Sequence, residues 1–177
     1  MAAKPLLPAP PAHSGYTRIV RFHPLAFSAA LICLAGDAGV TKQKAARQIA
    51  TVEGTYTKRI KSGTIDGSKY SAVDRLSIKR SSDTAIEFSL RLNFFNGHEC
   101  SMEGSAEYQP DGSFVHREPL DPNRECVLKL VPTATDILIQ DSEEQYCKLL
   151  SCGARGGYNG ASFSRKLRQA PHPAGGK

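Results

Sequence analysis

The 177-residue chain lacks the short signatures of the common hydrolases: G-x-S-x-G, H-E-x-x-H and S-x-x-K are all absent. Each encodes a mechanical part, whether a nucleophile elbow, a zinc-binding helix face or a lysine-activated serine, and without them no nucleophile stands out. No pair of carboxylates is marked for glycosidic cleavage either; Glu99 and Glu103 share one strand and read as solvated surface. There is no C-x2-C knuckle, so His98, Cys100, Cys147 and Cys152 offer zinc-type ligands without zinc-type spacing. Gly153, Gly156, Gly157 and Gly160 form a glycine-rich run, but no parallel strand precedes it as a phosphate loop requires. Turns with positive φ are the simpler role for it. A basic stripe interleaved with aromatics, the footprint of nucleic-acid binding, is also missing. The expectation is a protein that is not an enzyme, carries no metal or cofactor and binds no nucleic acid.

What is present points to export. Arg18 and Arg21 precede an uncharged apolar stretch at 24–35 (PLAFSAALICLA), followed by small residues at cleavage spacing. The stretch is shorter than the roughly 20 residues that span a bilayer core, so residues 1–38 read as a leader with a cleavable signal peptide. Cleavage there removes Cys33 and leaves Cys100, Cys126, Cys147 and Cys152, an even set that an exported small domain uses as disulfides. The localisation expected is periplasmic or secreted, in a bacterium. Residues 39–53 read as a basic linker or short helix, centred on a helical candidate at 42–49. Residues 54–165 read as one β domain, and 166–177 as a disordered basic tail.

Charge is divided along the chain. The total is +6, yet 15 of the 17 acidic residues and only 10 of the 23 basic ones lie in 63–164, which gives that segment 10 − 15 = −5. An acidic body would steer a basic partner, whereas the basic ends would make weak contact with an anionic envelope.

From Gly54 onward the hydrophobic period is two. Ile86, Phe88, Leu90, Leu92 and Phe94 alternate with Glu87, Ser89, Arg91 and Asn93, and Cys100, Met102, Gly104, Ala106 and Tyr108 alternate with Ser101, Glu103, Ser105 and Glu107. Asn96-Gly97 between them is a tight-turn signal, so the pair reads as a hairpin. Pro110-Asp111-Gly112, Asp121-Pro122-Asn123 and Pro132-Thr133 mark further turns. The fold expected is all-β and mainly antiparallel: a small meander barrel or sandwich of about eight strands. One short helix is expected at 142–150, opened by the acidic turn Ser142-Glu143-Glu144 near the C-terminal cysteines.

Cys100 and Cys126 both fall on inward strand positions, and Cys147 and Cys152 flank the end of the short helix. The pairing expected is therefore Cys100 with Cys126 and Cys147 with Cys152. Arg155, Tyr158 and Asn159 then sit on a disulfide-closed, glycine-permitted loop as candidate binding residues, arginine and tyrosine being enriched among interface hot spots. The competing role for Tyr158 is packing at the barrel mouth.

The segments LNFFNGHECSMEGSAEYQPDGSFVHRE, CVLKL and YCKLLSCGARGGYNGASF resemble the small β domain of bacterial periplasmic proteins associated with the LprI-type lysozyme-inhibitor family. The resemblance rests on the asparagine-glycine turn before Cys100, on Cys126, on C-x4-C-G-x-R-G and on the closing residues 160–163. The helical, cysteine-containing domain that names that family is absent. The resemblance implies an exported binding protein, an inhibitor of lysozyme or a similar cationic wall hydrolase. The alternative is a small-ligand-binding or envelope-structural barrel with no inhibitory activity.

Overall fold

A computed structural model describes residues 36–142 and 145–170. The leader up to residue 35, the Glu143-Glu144 turn and the tail from residue 171 lie outside the described residues. Helix α1 (Gly36–Val52) is followed by eight antiparallel strands, each bonded to the next in sequence: β1 (Gly54–Gly63), β2 (Lys69–Arg80), β3 (Ala85–Asn93), β4 (Glu99–Tyr108), β5 (Phe114–Asp121), β6 (Arg124–Pro132), β7 (Asp136–Asp141) and β8 (Ser162–Ser164). A second helix, α2 (Tyr146–Ser151), lies between β7 and β8. The fold is all-β, a nearly closed barrel-shaped sheet.

The period-two pattern decides which side of each strand faces in. On β3, Ile86, Phe88, Leu90 and Leu92 are buried and Glu87, Ser89 and Arg91 exposed; on β4, Cys100, Met102, Ala106 and Tyr108 are buried and Ser101, Glu103, Ser105 and Glu107 exposed. The hairpin register sets Leu90 opposite Met102 and Leu92 opposite Cys100. Its turn places Asn96 at φ 59° and Gly97 at φ 71°, conformations that asparagine and glycine tolerate best. Inward residues from both halves, including Leu76, Ile78, Phe114, Leu128, Leu130, Ile137 and Phe163, fill the interior, as expected for a barrel of eight strands.

Strands β4 and β5 share only two register pairs before they part. The His116 imidazole fills the gap. Its Nδ1 donates to the Ser105 carbonyl at 2.9 Å, and its ring meets Phe88 edge-on with centroids 5.3 Å apart. Gly104 allows this, because a Cβ there would lie 2.5 Å from His116 Cε1.

The two ends of the barrel are covered differently. At the end where β1 begins, α1 lays Ala45, Ile49 and Val52 into the core, each fully buried. The i, i+4, i+7 spacing makes one helical stripe. The helix is longer than the 42–49 segment expected from sequence. Its exposed C-terminal carbonyls are satisfied by the barrel: Tyr56 Oη donates to the Val52 carbonyl at 2.6 Å, and the Arg165 and Arg168 guanidiniums donate to the Thr51 carbonyl at 3.2 and 3.1 Å. Cations at a helix C-terminus also oppose its dipole. Arg168 and Gln169, which the sequence placed in a basic tail, are thus docked here, and Thr55 and Gln169 exchange two backbone hydrogen bonds.

At the opposite end the disulfides pair Cys100 with Cys152 and Cys126 with Cys147, not as the sequence suggested. Geometry forbids the expected pairing. Strand β5 lies between the strands of Cys100 and Cys126, and β4 has parted from β5 where Cys100 stands, so two strand spacings, or ~10 Å, is the least that separates them, beyond the ~7 Å a disulfide spans. Cys147 lies in the first turn of α2 and Cys152 is its C-cap, five residues on, a helical rise of roughly 7.5 Å. Cys147 and the C-cap Cys152 each reach outward to a strand instead.

Closure of the sheet is incomplete between β1 and β8. Thr55 meets Gln169, but no ladder joins β1 to β8 beyond that point. Lys58 shows the opening: it shares the inward side of β1 with the fully buried Tyr56 and yet is exposed.

Candidate functional site

The disulfide end contains the residues singled out from the sequence, and the structure separates their roles. Arg155 is exposed, with its guanidinium carbon 5.9 Å from the centre of the Phe95 ring. Tyr158 does not project. It is 1% exposed, and its hydroxyl lies 2.5 Å from Ser151 Oγ at the end of α2. Burial pushes its hydroxyl above the usual phenol range, with the Ser151 hydrogen bond acting in the other direction and the Asp141 carboxylate adding to the rise. Asn159 presents its side-chain oxygen to the Asp141 amide at 2.7 Å, which tethers the loop to β7. Asp141 in turn accepts from the Cys147 and Lys148 amides at 3.3 and 3.0 Å and so caps α2. Tyr158 is therefore a buried support for the loop, Asn159 tethers it while remaining exposed, and Arg155 is exposed as well.

The glycines of this loop also differ from expectation. Only Gly160 has a positive φ, at 84°. Gly156 is required by proximity, since a Cβ there would stand 2.6 Å from Cys100 Sγ, and at Gly153 a Cβ would stand 2.8 Å from His98 Nδ1. Cys100, Cys147 and Cys152 are all in disulfides, which removes three of the four ligands considered for zinc.

A second site was not read from the sequence. The outward side of β2, β3 and β4 forms an open depression of about 480 Å³. Its sides are Ser77 and Lys79 of β2, Glu87 and Ser89 of β3, and Glu103 and Ser105 of β4, with Phe88 and Gly104 beneath. Register explains the concavity. Ser77 pairs with Ser89 and Ser89 with Glu103, while Lys79 pairs with Glu87 and Glu87 with Ser105, so three short serine side chains alternate with longer charged ones. Glu87 and Glu103 are thus diagonal neighbours, roughly 7–8 Å apart across adjacent strands. Among the described residues neither carboxylate makes an ion pair. With two carboxylates against the one ammonium of Lys79, the hollow is net negative and hydroxyl-sided, suited to a basic side chain. The signal was present in the sequence as serines and glutamates at outward positions, but only the strand register brings them together.

No family model, curated protein or solved structure matches the chain. The two disulfides suggest a non-cytoplasmic, oxidising compartment. Among the described residues no helix is long and apolar enough to cross a membrane.

Proposed function

We propose that this is an exported, disulfide-stabilised binding protein that holds a basic protein against the outer face of β2–β4, a lysozyme-like wall hydrolase in the periplasm being the case to test. The observation that carries the reading is the presence of two carboxylates, Glu87 and Glu103, that make no ion pair among the described residues, at the serine-sided depression. A lysine or arginine entering between them would exchange water for two charge-assisted hydrogen bonds. The −5 charge of segment 63–164 would speed encounter with a cationic partner more than it would tighten the final complex. The interior filled by large side chains leaves the small-ligand reading with less support.

Calorimetry against a panel of c-type and g-type lysozymes tests this. Glu87→Gln with Glu103→Gln should weaken binding by about 2 kcal/mol or more, as truncation of hot-spot contacts does, and leave the melting temperature unchanged. Raising salt from roughly 50 to 200 mM should slow association. If the wild-type protein binds none of the panel at micromolar concentration, the reading fails.

A second docking mode is favoured by one feature: Phe95, which lies beside Arg155, and the α2 residues Leu149 and Leu150 are all exposed at the disulfide-braced end. If partner binding is lost in Arg155→Ala and retained in the glutamate variants, this end is the contact.

A further inference from the structure

Strand β1 has an edge that, among the described residues, no strand pairs with beyond Thr55. Thr55 directs both its N–H and its C=O to Gln169, away from β2, so by the alternation of an antiparallel strand Thr57, Arg59 and Lys61 direct theirs to the same side. Among the described residues those groups have no hydrogen-bond partner. Exposed strand edges of this kind are templates for another strand.

Charge selects what can pair there. Lys58, Arg59 and Lys61 are exposed on this edge, β1 carries no acidic residue, and Arg75 of β2 stands directly opposite Thr57. On β2, Asp74 stands opposite Lys58 and also accepts from the Asn93 amide at 2.8 Å, whereas Arg59 and Lys61 face Val73 and Ser71 and so have no carboxylate across the strand pair. A second copy is a poor occupant, because pairing β1 with itself would gather six cations, and like charges on facing strands destabilise a sheet. The chain's own remaining segments are no better, since residues 1–35 and 171–177 contain no aspartate or glutamate.

We infer that residues 57–61 of β1 form a strand-addition site for an extended acidic segment of a partner protein. Backbone hydrogen bonds to Thr57, Arg59 and Lys61 would give the affinity common to such pairing, and alternate side chains of the added strand would give the selectivity. Carboxylates on its outer side meet Arg59 and Lys61. One on its inner side meets Lys58 at the opening beside β8.

The test is amide hydrogen exchange on the full chain with three capped peptides of about seven residues, the length of an ordinary strand. One alternates glutamate with threonine, one has lysine in place of glutamate, and one is the acidic peptide methylated at every backbone nitrogen. The acidic peptide should slow exchange at Thr57, Arg59 and Lys61 by about tenfold or more, and the other two should not. Arg59→Glu with Lys61→Glu, both at exposed positions, should abolish the effect while the melting temperature stays within a few degrees. No slowing at about 1 mM acidic peptide, a weak-binding concentration, overturns the inference. Equal slowing by the methylated peptide reduces it to charge alone and also overturns it. Slowing that depends on protein concentration without any peptide means a second copy takes the edge instead.

Discussion

At the end of the barrel where β1 begins, closure comes from packing: three apolar residues of α1 enter the core, and arginines from the end of the chain hold the last carbonyls of the helix. At the other end α2 has six residues, leaves Leu149 and Leu150 exposed at 61% and 40%, and buries Cys147. A helix that short is marginal by itself. Two disulfides fix it to β4 and β6, and Gly156 lets its following loop approach the sulfur of Cys100. The contrast shows two ways to cover an open barrel end. Where a helix has an apolar stripe, burial suffices; where it has none, covalent links hold the cover, and the exposed side chains remain available for contacts.

Breaking the disulfides should therefore have the largest effect. Each contributes about 2–4 kcal/mol by restricting the unfolded chain, and removal from a small exported domain costs about 2–5 kcal/mol. Cys100–Cys152 closes a separation of 52 residues against 21 for Cys126–Cys147, which in the loop-entropy model adds about 0.8 kcal/mol to the former. Urea titrations of the two Cys→Ser double variants should rank them in that order. A reversed ranking would mean that the hold on β6, not the length of the loop, governs this end.

Next in size is the helix end. Ile49→Ala removes a fully buried side chain and should cost about 2–5 kcal/mol. Lys42→Ala on the exposed side of α1 and Leu149→Ala on α2 should each change stability by less than about 0.5 kcal/mol. Thermal melts of the three would compare the ends directly. A loss at Leu149 equal to that at Ile49 would show that α2 is held by packing after all.

A smaller contrast lies within the loop. Gly156→Ala forces a methyl group against Cys100 Sγ and should cost about 1–3 kcal/mol, whereas Gly157 has open space around its Cβ position and should tolerate alanine within about 0.5 kcal/mol. Differential scanning calorimetry of the pair separates crowding from backbone freedom. Equal effects would mean that the loop yields as a unit.

The strands were legible because their alternation is strong and their turns carry glycine, proline and asparagine. Ile86 to Leu92 and Cys100 to Tyr108 show it best: the side chains expected inside are inside. The extent of α1 was less legible, since Lys42, Lys44 and Arg47 hide a stripe of only Ala45, Ile49 and Val52. Disulfide pairing was misjudged because inward direction says nothing about how many strands separate two positions. The role of Tyr158 depended on Ser151 and the loop closing over it, and the Glu87–Glu103 hollow depended on register. Both arise from long-range geometry that a local pattern does not encode.

The smallest expected effect concerns the turns at the two ends. Asp66 at the disulfide end and Asp111 at the helix end are exposed, Asp121 at the disulfide end is half-buried, and each carboxylate is held below the ordinary aspartate value of 3.8. The causes are local: the Thr64 hydroxyl and Ser68 amide for Asp66, the Ser113 hydroxyl and amide for Asp111, and the Asn123 amide followed by the Arg124 guanidinium for Asp121. A folded value below the unfolded one means the unfolded chain takes up protons first, so the contribution is complete above pH 3.8 and is lost as pH falls through the lowered values. Amide exchange at Ser68, Ser113 and Asn123, corrected for the intrinsic pH dependence, should therefore accelerate below that point while the core strands stay protected. Asp66→Asn should flatten the acid response at Ser68 and leave Ser113 unchanged. The disulfides should confine the loosening at their end to the turns, whereas at the helix end it should spread to Lys44, whose Nζ donates to the Pro110 carbonyl beside the Asp111 turn at 3.4 Å. If acid loosens residues 146–152 before it loosens α1, covalent closure is the weaker of the two covers under these conditions.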